Sequence, residues 1–370
     1  MKVLQISTPF LPISPDLYYG GTERIVYSLD NELHKKNISA GVVAPKDSKP
    51  ESTCYPTINS SIGVSGILDS DDEHSKDNYL KLDHIAKSLK YANELSDLDI
   101  VHIHDDNMFV FGDFIKHPSV LTLHTFYEVF WDTKIHEFTK NPKIKLISIS
   151  NSQKKIYESK GYKIEFVVHH GIDEENFSLS ERKYPYLLNL GCIHPLKKQE
   201  DVIEVGKRTG LDVILAGNIG STKYFKEKIS PFINVDLSSK NDKLNSYLSS
   251  PSSSKMRVFY TGPVNDKQKK PLYSNALAFI MPLGLEEPFG LVMVEAMMSG
   301  TPVIAYNKGS VPELVTEKTG FIVNRLEEMV EAINSINTIN PLECRKNAVE
   351  KFSLKRMVED YIKVYEEVIR

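Results

Sequence analysis

The sequence predicts an α/β protein with two Rossmann-like, doubly wound domains. Short runs rich in β-branched residues alternate with amphipathic segments from end to end, which is typical of βαβ units and a parallel sheet. A polar segment that ends in proline interrupts the alternation near the middle, after which the scheme repeats. A chain of 370 residues is also longer than one hydrophobic core usually serves, which favours two domains.

The alternation gives each half of the chain its own set of strands. In the first half we expect strands at residues 2–8, 38–45, 99–105, 119–125, 145–150 and 165–171. In the second half we expect strands at residues 185–191, 211–217, 257–262, 276–282, 301–306 and 319–323. Helices are expected between them, most clearly at residues 22–36, 78–95, 198–209 and 291–299.

The polar segment DEENFSLSERKYP, residues 173–185, is the predicted linker. It separates an N-terminal domain at residues 1–175 from a C-terminal domain at residues 183–352. Ligands bind beyond the carboxyl ends of the strands in doubly wound sheets, so we expect the two domains to face a central cleft. The serine-rich residues 236–255 are expected to form a surface loop.

Composition excludes several classes of function. The chain is 41% hydrophobic and 25% charged with a formal net charge of -4, which is not the signature of a nucleic-acid binder. No run of about 18 apolar residues predicts a transmembrane helix, and Gln5, Pro9 and Pro12 interrupt the N-terminal apolar run, which we interpret as a strand. Three cysteines without disulfide or metal spacing favour a reducing, cytoplasmic location.

A lysine-rich segment raises the hypothesis of contact with a membrane. Its lysines outnumber the acids Glu137 and Glu158 of the same span, and such a patch can meet anionic lipid at the inner membrane surface. The alternative is a solvated lysine-rich surface, which charge runs usually form. The lysines are Lys134, Lys140, Lys143, Lys145, Lys154, Lys155, Lys160 and Lys163.

Two glutamates stand out in EEPFGLVMVEAMMSG, residues 286–300. Glu295 lies within an apolar helix, and a buried carboxylate needs a protein cation or the hydroxyls of a ligand. Glu287 precedes the turn before that helix, whose first amides, at Phe289, Gly290 and Leu291, form a potential anion site. The spacing suits an elongated ligand such as a nucleotide sugar, and it leaves open two glutamates of purely structural role.

Residues 286–315 resemble the E-x7-E region of retaining GT-B glycosyltransferases of the family-4 type (glycosyl transferases group 1). Other segments resemble the same family: YYGGTERIVYSLDNELHKKN its first glycine-rich loop and helix, DIVHIHD and LTLHT its next strands, and HHGIDEENF the segment that closes the N-terminal domain. The final FSLKRMVEDYIKVYEEVIR resembles the helix that crosses back to that domain, which would add residues 353–370 to it. The resemblance covers nearly the whole chain.

The resemblance implies roles for particular residues. Glu287 would bind hydroxyls of the donor sugar, Glu295 the ribose, and the backbone of Phe289, Gly290 and Leu291 the sugar and phosphates. The other implied contacts with the donor are backbone contacts of Gly20 and Gly21 with the diphosphate and of Val264 with the base. Gly309 is expected to serve packing near the phosphates or only the turn, and Glu23 to complement the dipole of its helix or to face the acceptor.

Lys197 in GCIHPLKKQED matches the lysine that neutralises the leaving diphosphate in this family. The family usually carries arginine directly after the glycine of that segment, and this chain has Cys192 there. The departure removes one of two expected cations. Lys198 and His194 are the nearest candidates to replace it, and no motif supports Cys192 as a nucleophile or metal ligand.

His124 ends the strand SVLTLHT, where catalytic groups collect. By resemblance it would contact the donor sugar near the anomeric centre and the 6-hydroxyl, and the alternative is a histidine satisfied by hydrogen bonds at a strand end. The nearby HIHDDN, residues 102–107, raises a competing metal hydrolase hypothesis. Asn107 stands where that motif requires histidine, so a metal site is the weaker interpretation.

The activity implied by the resemblance is a retaining, metal-independent transfer of a sugar from a nucleotide diphosphate sugar to a hydroxyl acceptor. It would be of hexosyltransferase type (EC 2.4) and serve glycan, glycolipid or polysaccharide synthesis, with no cofactor. A nucleotide-sugar 2-epimerase of GT-B fold and a non-catalytic nucleotide-sugar binding protein are the alternatives.

Overall fold

The chain divides into two units, one of residues 1–171 with 354–370 and the other of residues 172–353. The predicted serine-rich loop, Tyr18 and Tyr19 of the glycine-rich loop, and Lys134, Lys140 and Lys143 fall wholly or mostly outside the described residues. The computed structural model describes residues 1–17, 20–63, 71–125, 127, 144–239 and 255–370, and of residues 71–76 only the backbone.

The unit at residues 1–171 and 354–370 is built on a parallel seven-stranded sheet. Its spatial order is β3-β2-β1-β4-β5-β6-β7, so the chain runs outward from β1 to one edge and then returns to the other side of β1. This reversal is the topological switch point of a doubly wound fold. The strands are β1 Val3–Ile6, β2 Ser39–Ala44, β3 Cys54–Pro56, β4 Ile100–Ile103, β5 Ser119–Leu123, β6 Ile144–Ser148 and β7 Phe166–Val167.

Helices of this unit join consecutive strands or return from the end of the chain. Among the described residues they are α1 Gly21–Lys35, α2 Asp71–Glu94 and α3 Asn151–Ser159, with α10 Leu354–Ile369 at the end of the chain. On α10, the hydroxyls of Tyr361 and Tyr365 lie 3.2 Å from Thr122 Oγ1 and 2.6 Å from His102 Nδ1. The expected return of the C-terminal helix to the N-terminal unit is therefore confirmed.

The unit at residues 172–353 repeats the plan. Its parallel seven-stranded sheet has the order β10-β11-β9-β8-β12-β13-β14. The strands are β8 Tyr184–Leu190, β9 Asp212–Ala216, β10 Val235–Asp236, β11 Val258–Tyr260, β12 Ala276–Met281, β13 Val303–Tyr306 and β14 Gly320–Val323. Among the described residues, the helices of four residues or more that are α-helical throughout are α4 Gln199–Thr209, α5 Asp266–Asn275, α6 Leu291–Met298, α7 Val311–Leu314, α8 Leu326–Asn334 and α9 Pro341–Phe352. A short α-helical turn, Thr222–Tyr224, continues as a π-helix at Phe225–Ile229.

The predicted fold class, two Rossmann-like parallel sheets covered by helices, is confirmed. The short strands β3 and β10 were not predicted, because a run of two or three residues is too brief to show periodicity. Residues 106–114, which carried no prediction, form a 3-10 helix capped by Asp105, whose side chain accepts from the amide of Asn107. No helix of the described part of the chain is long and apolar enough to cross a bilayer.

Candidate functional site

Glu287 and Lys197 form a direct ion pair. The Lys197 Nζ lies 2.5 Å from Glu287 Oε2, and the two side chains are 25% and 16% exposed. Lys197 ends a 3-10 turn, Pro195–Lys197, that follows β8, and Glu287 lies in the loop that follows the adjacent strand β12. Carboxyl ends of neighbouring parallel strands thus place a cation and a carboxylate together, where ligands bind in such sheets.

The backbone of Glu287 is fixed by the turn after β13. The amide of Ser310 donates to the Glu287 carbonyl over 2.9 Å, and the amide of Gly309 donates to the Glu286 carboxylate over 2.5 Å. Gly309 has φ +53°, and a Cβ atom there would lie 2.2 Å from the Glu287 carbonyl oxygen. This glycine therefore serves close packing against the residue that positions the carboxylate.

Gly309→Ala should displace the Glu287 backbone. We expect the free energy of unfolding to fall by roughly 1–3 kcal/mol and ligand binding at Glu287 to weaken, because backbone atoms must move to admit the methyl group. Gly210→Ala is the matched control: Gly210 also has a left-handed φ, +72°, but a Cβ there meets nothing within 4 Å. Urea unfolding of both variants measures the difference; equal losses would show that the contact with Glu287 is unimportant.

The predicted anion-binding turn lies at the start of α6. Gly290 precedes the helix with φ +87°, and the amides of Gly290 and Leu291 donate to no acceptor among the residues that the structure describes. The Phe289 side chain is buried, its ring centroid 5.7 Å from that of Phe352, and its carbonyl accepts from Ser310 Oγ over 2.6 Å. The contacts of Phe289 thus fix the turn, and two amides at the start of the helix are available to an anion.

Glu295 has found protein partners. On the neighbouring helix α5, Lys269 Nζ lies 3.1 Å from Glu295 Oε1 and the Tyr273 hydroxyl donates to Oε2 over 2.8 Å. The sequence predicted the need for a partner but did not identify these residues, which lie four positions apart on one helical face. A carboxylate has about four lone-pair sites, so both of its oxygens can still accept from a ligand.

The position of the expected arginine holds a neutral thiol. Burial raises the pKa of Cys192, and a Cβ atom on Gly220 would lie 2.2 Å from its Sγ, so the thiol packs against that loop. Lys198 turns aside with φ +47°, and its Nζ lies 5.5 Å from the centroid of the Tyr306 ring. His194 uses Nδ1 as the acceptor for the Leu196 amide over 3.3 Å.

Val264 is buried at 3% exposure in the turn between β11 and α5. The turn passes through Gly262, with φ +67°, whose carbonyl accepts from the Gly217 amide over 2.9 Å. At Asn265, the side chain and that of Gln268 cap the start of α5 reciprocally. The backbone around Val264 is therefore held rigidly at the carboxyl end of β11, and its proposed contact with a base remains a prediction.

Gly20 and Gly21 begin α1 in the other unit. Gly20 has φ +110°, and a Cβ there would lie 2.7 Å from Leu11 Cδ1 and 2.8 Å from Glu23 Oε2. Glu23 accepts from Thr8 Oγ1 over 2.7 Å, and burial raises the pKa of its carboxyl group. The glycine thus allows a close approach of loop and helix that a side chain would prevent.

His124 lies at one end of a chain of hydrogen bonds that runs through His104 to Gln5, which we call the relay. Gln5 Oε1 can only accept, so His104 donates to it from Nε2 over 3.2 Å. His104 Nδ1 must then accept from Nε2 of His124 over 2.8 Å, which leaves the lone pair on His124 Nδ1. That Nδ1 atom is buried without a partner among the described residues.

The relay belongs to a column of imidazoles, which we define as His102, His104, His124 and His170; His124 is half-buried and the other three are buried. Successive ring centroids lie 3.9, 5.1 and 5.1 Å apart. Burial lowers the pKa of His124 to about 3 and the pKa values of the other three rings well below their ordinary range. The column is therefore neutral near pH 7.

Below the unfolded pKa of about 6.5, these histidines bind protons in the unfolded chain but not in the folded column. The free energy of unfolding is therefore highest above that pH and falls as the pH falls toward the folded pKa values. Each histidine should lower the free energy of unfolding by up to about 1.4 kcal/mol per pH unit in that range. Urea unfolding at pH 7.5 and 5.0 measures the slope. His104→Gln should reduce this slope by the contribution of about one proton, whereas His34→Gln, at an exposed position, should leave the slope unchanged. If the free energy of unfolding of the wild type did not change between these pH values, the effect would be contradicted.

The described residues offer no geometric support for the metal-site hypothesis or for the membrane-contact hypothesis. Within that part of the chain, no three His, Cys, Asp or Glu side chains are grouped to hold a metal ion. Three of the described lysines of the lysine-rich segment, Lys145, Lys154 and Lys163, lie within 3.6 to 3.8 Å of Glu158 or Glu165. Peripheral membrane contact remains a prediction.

Two parallel sheets with a returning C-terminal helix define a protein of the GT-B class. The family model for glycosyl transferases group 1 matches residues 172–351, and the model for glycosyltransferase family 4 matches residues 19–179. Together the models span nearly the whole chain, which belongs to this family of glycosyltransferases.

Relatives agree with this assignment over short segments. The chain is 36% identical over 118 residues to the uncharacterized 41.2 kDa protein in the cps region of Klebsiella pneumoniae, which covers 30% of this chain and 33% of that protein. It is 37% identical over 73 residues to the sulfoquinovosyl transferase SQD2 of Arabidopsis thaliana, which covers 19% of this chain and 14% of that protein. The matches thus span a third or less of these relatives.

The fold has close counterparts over its full length. Anabaena HepE, solved in complex with UDP and glucose, superposes with a TM-score of 0.72 at 18% identity, covering 99% of this chain and 100% of that one. At this identity the likeness establishes the shared fold.

Proposed function

We propose that the protein is a retaining, metal-independent glycosyltransferase (EC 2.4) that moves a hexosyl group from a nucleotide diphosphate sugar to a hydroxyl acceptor. The observation that carries the proposal is the Glu287–Lys197 ion pair beside the amides that begin α6. This arrangement offers a carboxylate that can accept hydrogen bonds from hydroxyls, a cation and two amide donors. These are the groups that a sugar joined to a diphosphate requires. The UDP complex of HepE supports the same ligand class.

In this proposal, Glu287 binds hydroxyls of the transferred sugar and Lys197 meets the diphosphate. The amides of Gly290 and Leu291 share the phosphate charge, and Glu295 accepts from the ribose with its remaining lone pairs. The base rests against the backbone near Val264. Of the N-terminal unit, we propose that the backbone of Gly20 and Gly21 contacts the diphosphate, that His124 contacts the transferred sugar, and that this unit binds the acceptor.

The proposed reaction has same-face attack by the acceptor hydroxyl. The bond between the anomeric carbon and the leaving phosphate oxygen breaks, the departing phosphate takes the acceptor proton, and the sugar keeps its configuration. Charge that develops on the phosphate is met by Lys197 and the helix amides, fixed groups of the kind that stabilise a transition state. No side chain is needed as a nucleophile.

The setting proposed for this reaction is glycan, glycolipid or polysaccharide synthesis in the cytoplasm, with a lipid-linked acceptor as one option at the membrane surface. A second candidate function is non-catalytic binding of a nucleotide sugar. The neutral Cys192, where the family usually has a cation, favours that candidate. A 2-epimerase would share the fold, and the E-x7-E segment favours transfer over it.

Thermal shift with UDP-glucose, GDP-mannose and ADP-glucose tests the proposal. We expect one of these donors to raise the melting temperature and to be hydrolysed slowly in the presence of EDTA, with the released sugar retaining the configuration of the donor. Stabilisation with neither hydrolysis nor transfer to a panel of acceptors would favour the binding protein, and conversion at C2 the epimerase. No stabilisation by any nucleotide sugar would overturn the assignment.

A further inference from the structure

The ion pair that carries the proposed function is already complete without a ligand. Lys197 is anchored through its amide, which donates to the His194 carbonyl over 2.8 Å, and Glu287 through its carbonyl, which accepts from Ser310. Both side chains are mostly buried, at 25% and 16% exposure, so water screens the pair only partly. Each charge therefore has a fixed partner that any ligand must replace or share.

The other basic side chains of the segment 191–201 have contacts of their own. Lys198 Nζ lies 5.5 Å from the centroid of the Tyr306 ring, and the Nδ1 of His194 is occupied by a hydrogen bond from the Leu196 amide over 3.3 Å. Cys192 is a neutral thiol, since burial holds its pKa above the ordinary value. The segment thus offers one ammonium group to a diphosphate, and a carboxylate already neutralises it.

We propose that the Glu287–Lys197 pair makes the site selective for the intact nucleotide sugar over the free nucleoside diphosphate. The inference rests on the proposed function and extends it to product release. An intact donor brings hydroxyls to Glu287 and phosphate oxygens to Lys197. Each side chain therefore loses the other as its partner and gains a partner on the donor. A nucleoside diphosphate supplies only the phosphates, and it leaves Glu287 as an unpaired anion beside another anion.

The pair consequently opposes retention of the product once the sugar has gone. After transfer, Glu287 loses its hydroxyl partners and competes with the diphosphate for Lys197. In a site with a second cation, the diphosphate would keep a partner of its own. In this chain the absence of that cation at Cys192 therefore promotes product release, in addition to lowering the attraction for phosphate.

Glu287→Gln separates these effects, because the amide keeps the shape of the side chain and removes its charge. We expect the Kd of the nucleoside diphosphate to fall roughly tenfold and the Kd of the matching nucleotide sugar to stay or rise. The probes are UDP, GDP and ADP with UDP-glucose, GDP-mannose and ADP-glucose, titrated by calorimetry into the full chain. The gain should disappear in Lys197→Met/Glu287→Gln.

Glu204→Gln is the matched control, since Glu204 pairs with Arg208 at 3.0 Å and Lys207 at 3.7 Å on α4. It should change neither Kd. If the wild type binds a nucleoside diphosphate and Glu287→Gln binds it no more tightly, the selectivity inference is wrong and the proposed function stands. If the wild type binds neither probe of any pair, the proposed function fails and the inference with it.

Kinetics of the unmodified protein give a second test that needs no variant. The inhibition constant of the nucleoside diphosphate should exceed the KM of its sugar donor. An inhibition constant well below that KM would also overturn the selectivity inference.

Discussion

Lys269→Met should lower the free energy of unfolding of the C-terminal unit by about 3–5 kcal/mol, because it leaves the carboxylate of Glu295 buried without its cation. Lys269 and Glu295 are only 7% exposed each, and Tyr273 supplies the one other hydrogen bond to that carboxylate that the structure gives. Little water is available to replace the ammonium group. The measurement is urea unfolding, followed by a probe in residues 172–353.

Lys267→Met is the matched control, since Lys267 is an exposed lysine on the same helix. It should change stability by less than about 0.5 kcal/mol. Lys269→Met/Glu295→Gln should recover most of the loss, because the amide needs no cation and its oxygen still accepts from Tyr273. Equal stability of Lys269→Met and Lys267→Met would show that the pair is not needed by the folded unit.

Lys197→Ala should reduce kcat for sugar transfer by roughly 10²–10³, the usual effect of removing one fixed group that meets developing negative charge. The effect should be large because Lys198 and His194 are engaged elsewhere and Cys192 is neutral. Steady-state kinetics with the donor identified by thermal shift measure the change. Lys197→Arg should retain part of the activity, since it restores a cation.

Lys198→Asn serves as the control for the neighbouring lysine. Asparagine tolerates the left-handed backbone of this position, where alanine would add strain. We expect kcat to change less than threefold, since the Lys198 ammonium group faces Tyr306. A loss in Lys198→Asn as large as that in Lys197→Ala would mean that Lys198 takes the place of the missing arginine.

Much of the fold could be predicted because its strands are buried on both faces. Runs such as ALAFIMP and TPVIAY are continuous and apolar, as parallel strands are, and they match β12 and β13 within one or two residues. The edge strands β3 and β10 gave no such signal. The start of α2 at Asp71 was also missed, because residues 71–77 are polar and contain no apolar stripe.

The candidate site could be predicted only as far as single segments allow. Glu295 required a partner on solvation grounds alone, whereas its identity as Lys269 depends on the packing of α5 beside α6. The histidine relay depends on register: β4 pairs β5 with His102 opposite Val120, which brings His104 to the side of His124. Register between parallel strands joined by helices cannot be derived from one sequence.

A crystal structure of the protein with its nucleotide sugar tests the proposed donor site most directly. We expect the diphosphate within about 2.7–3.2 Å of Lys197 Nζ and of the amides of Gly290 and Leu291, with sugar hydroxyls on Glu287 and ribose hydroxyls on Glu295. A nucleotide sugar bound elsewhere, with the Glu287–Lys197 pair unchanged, would contradict this expectation.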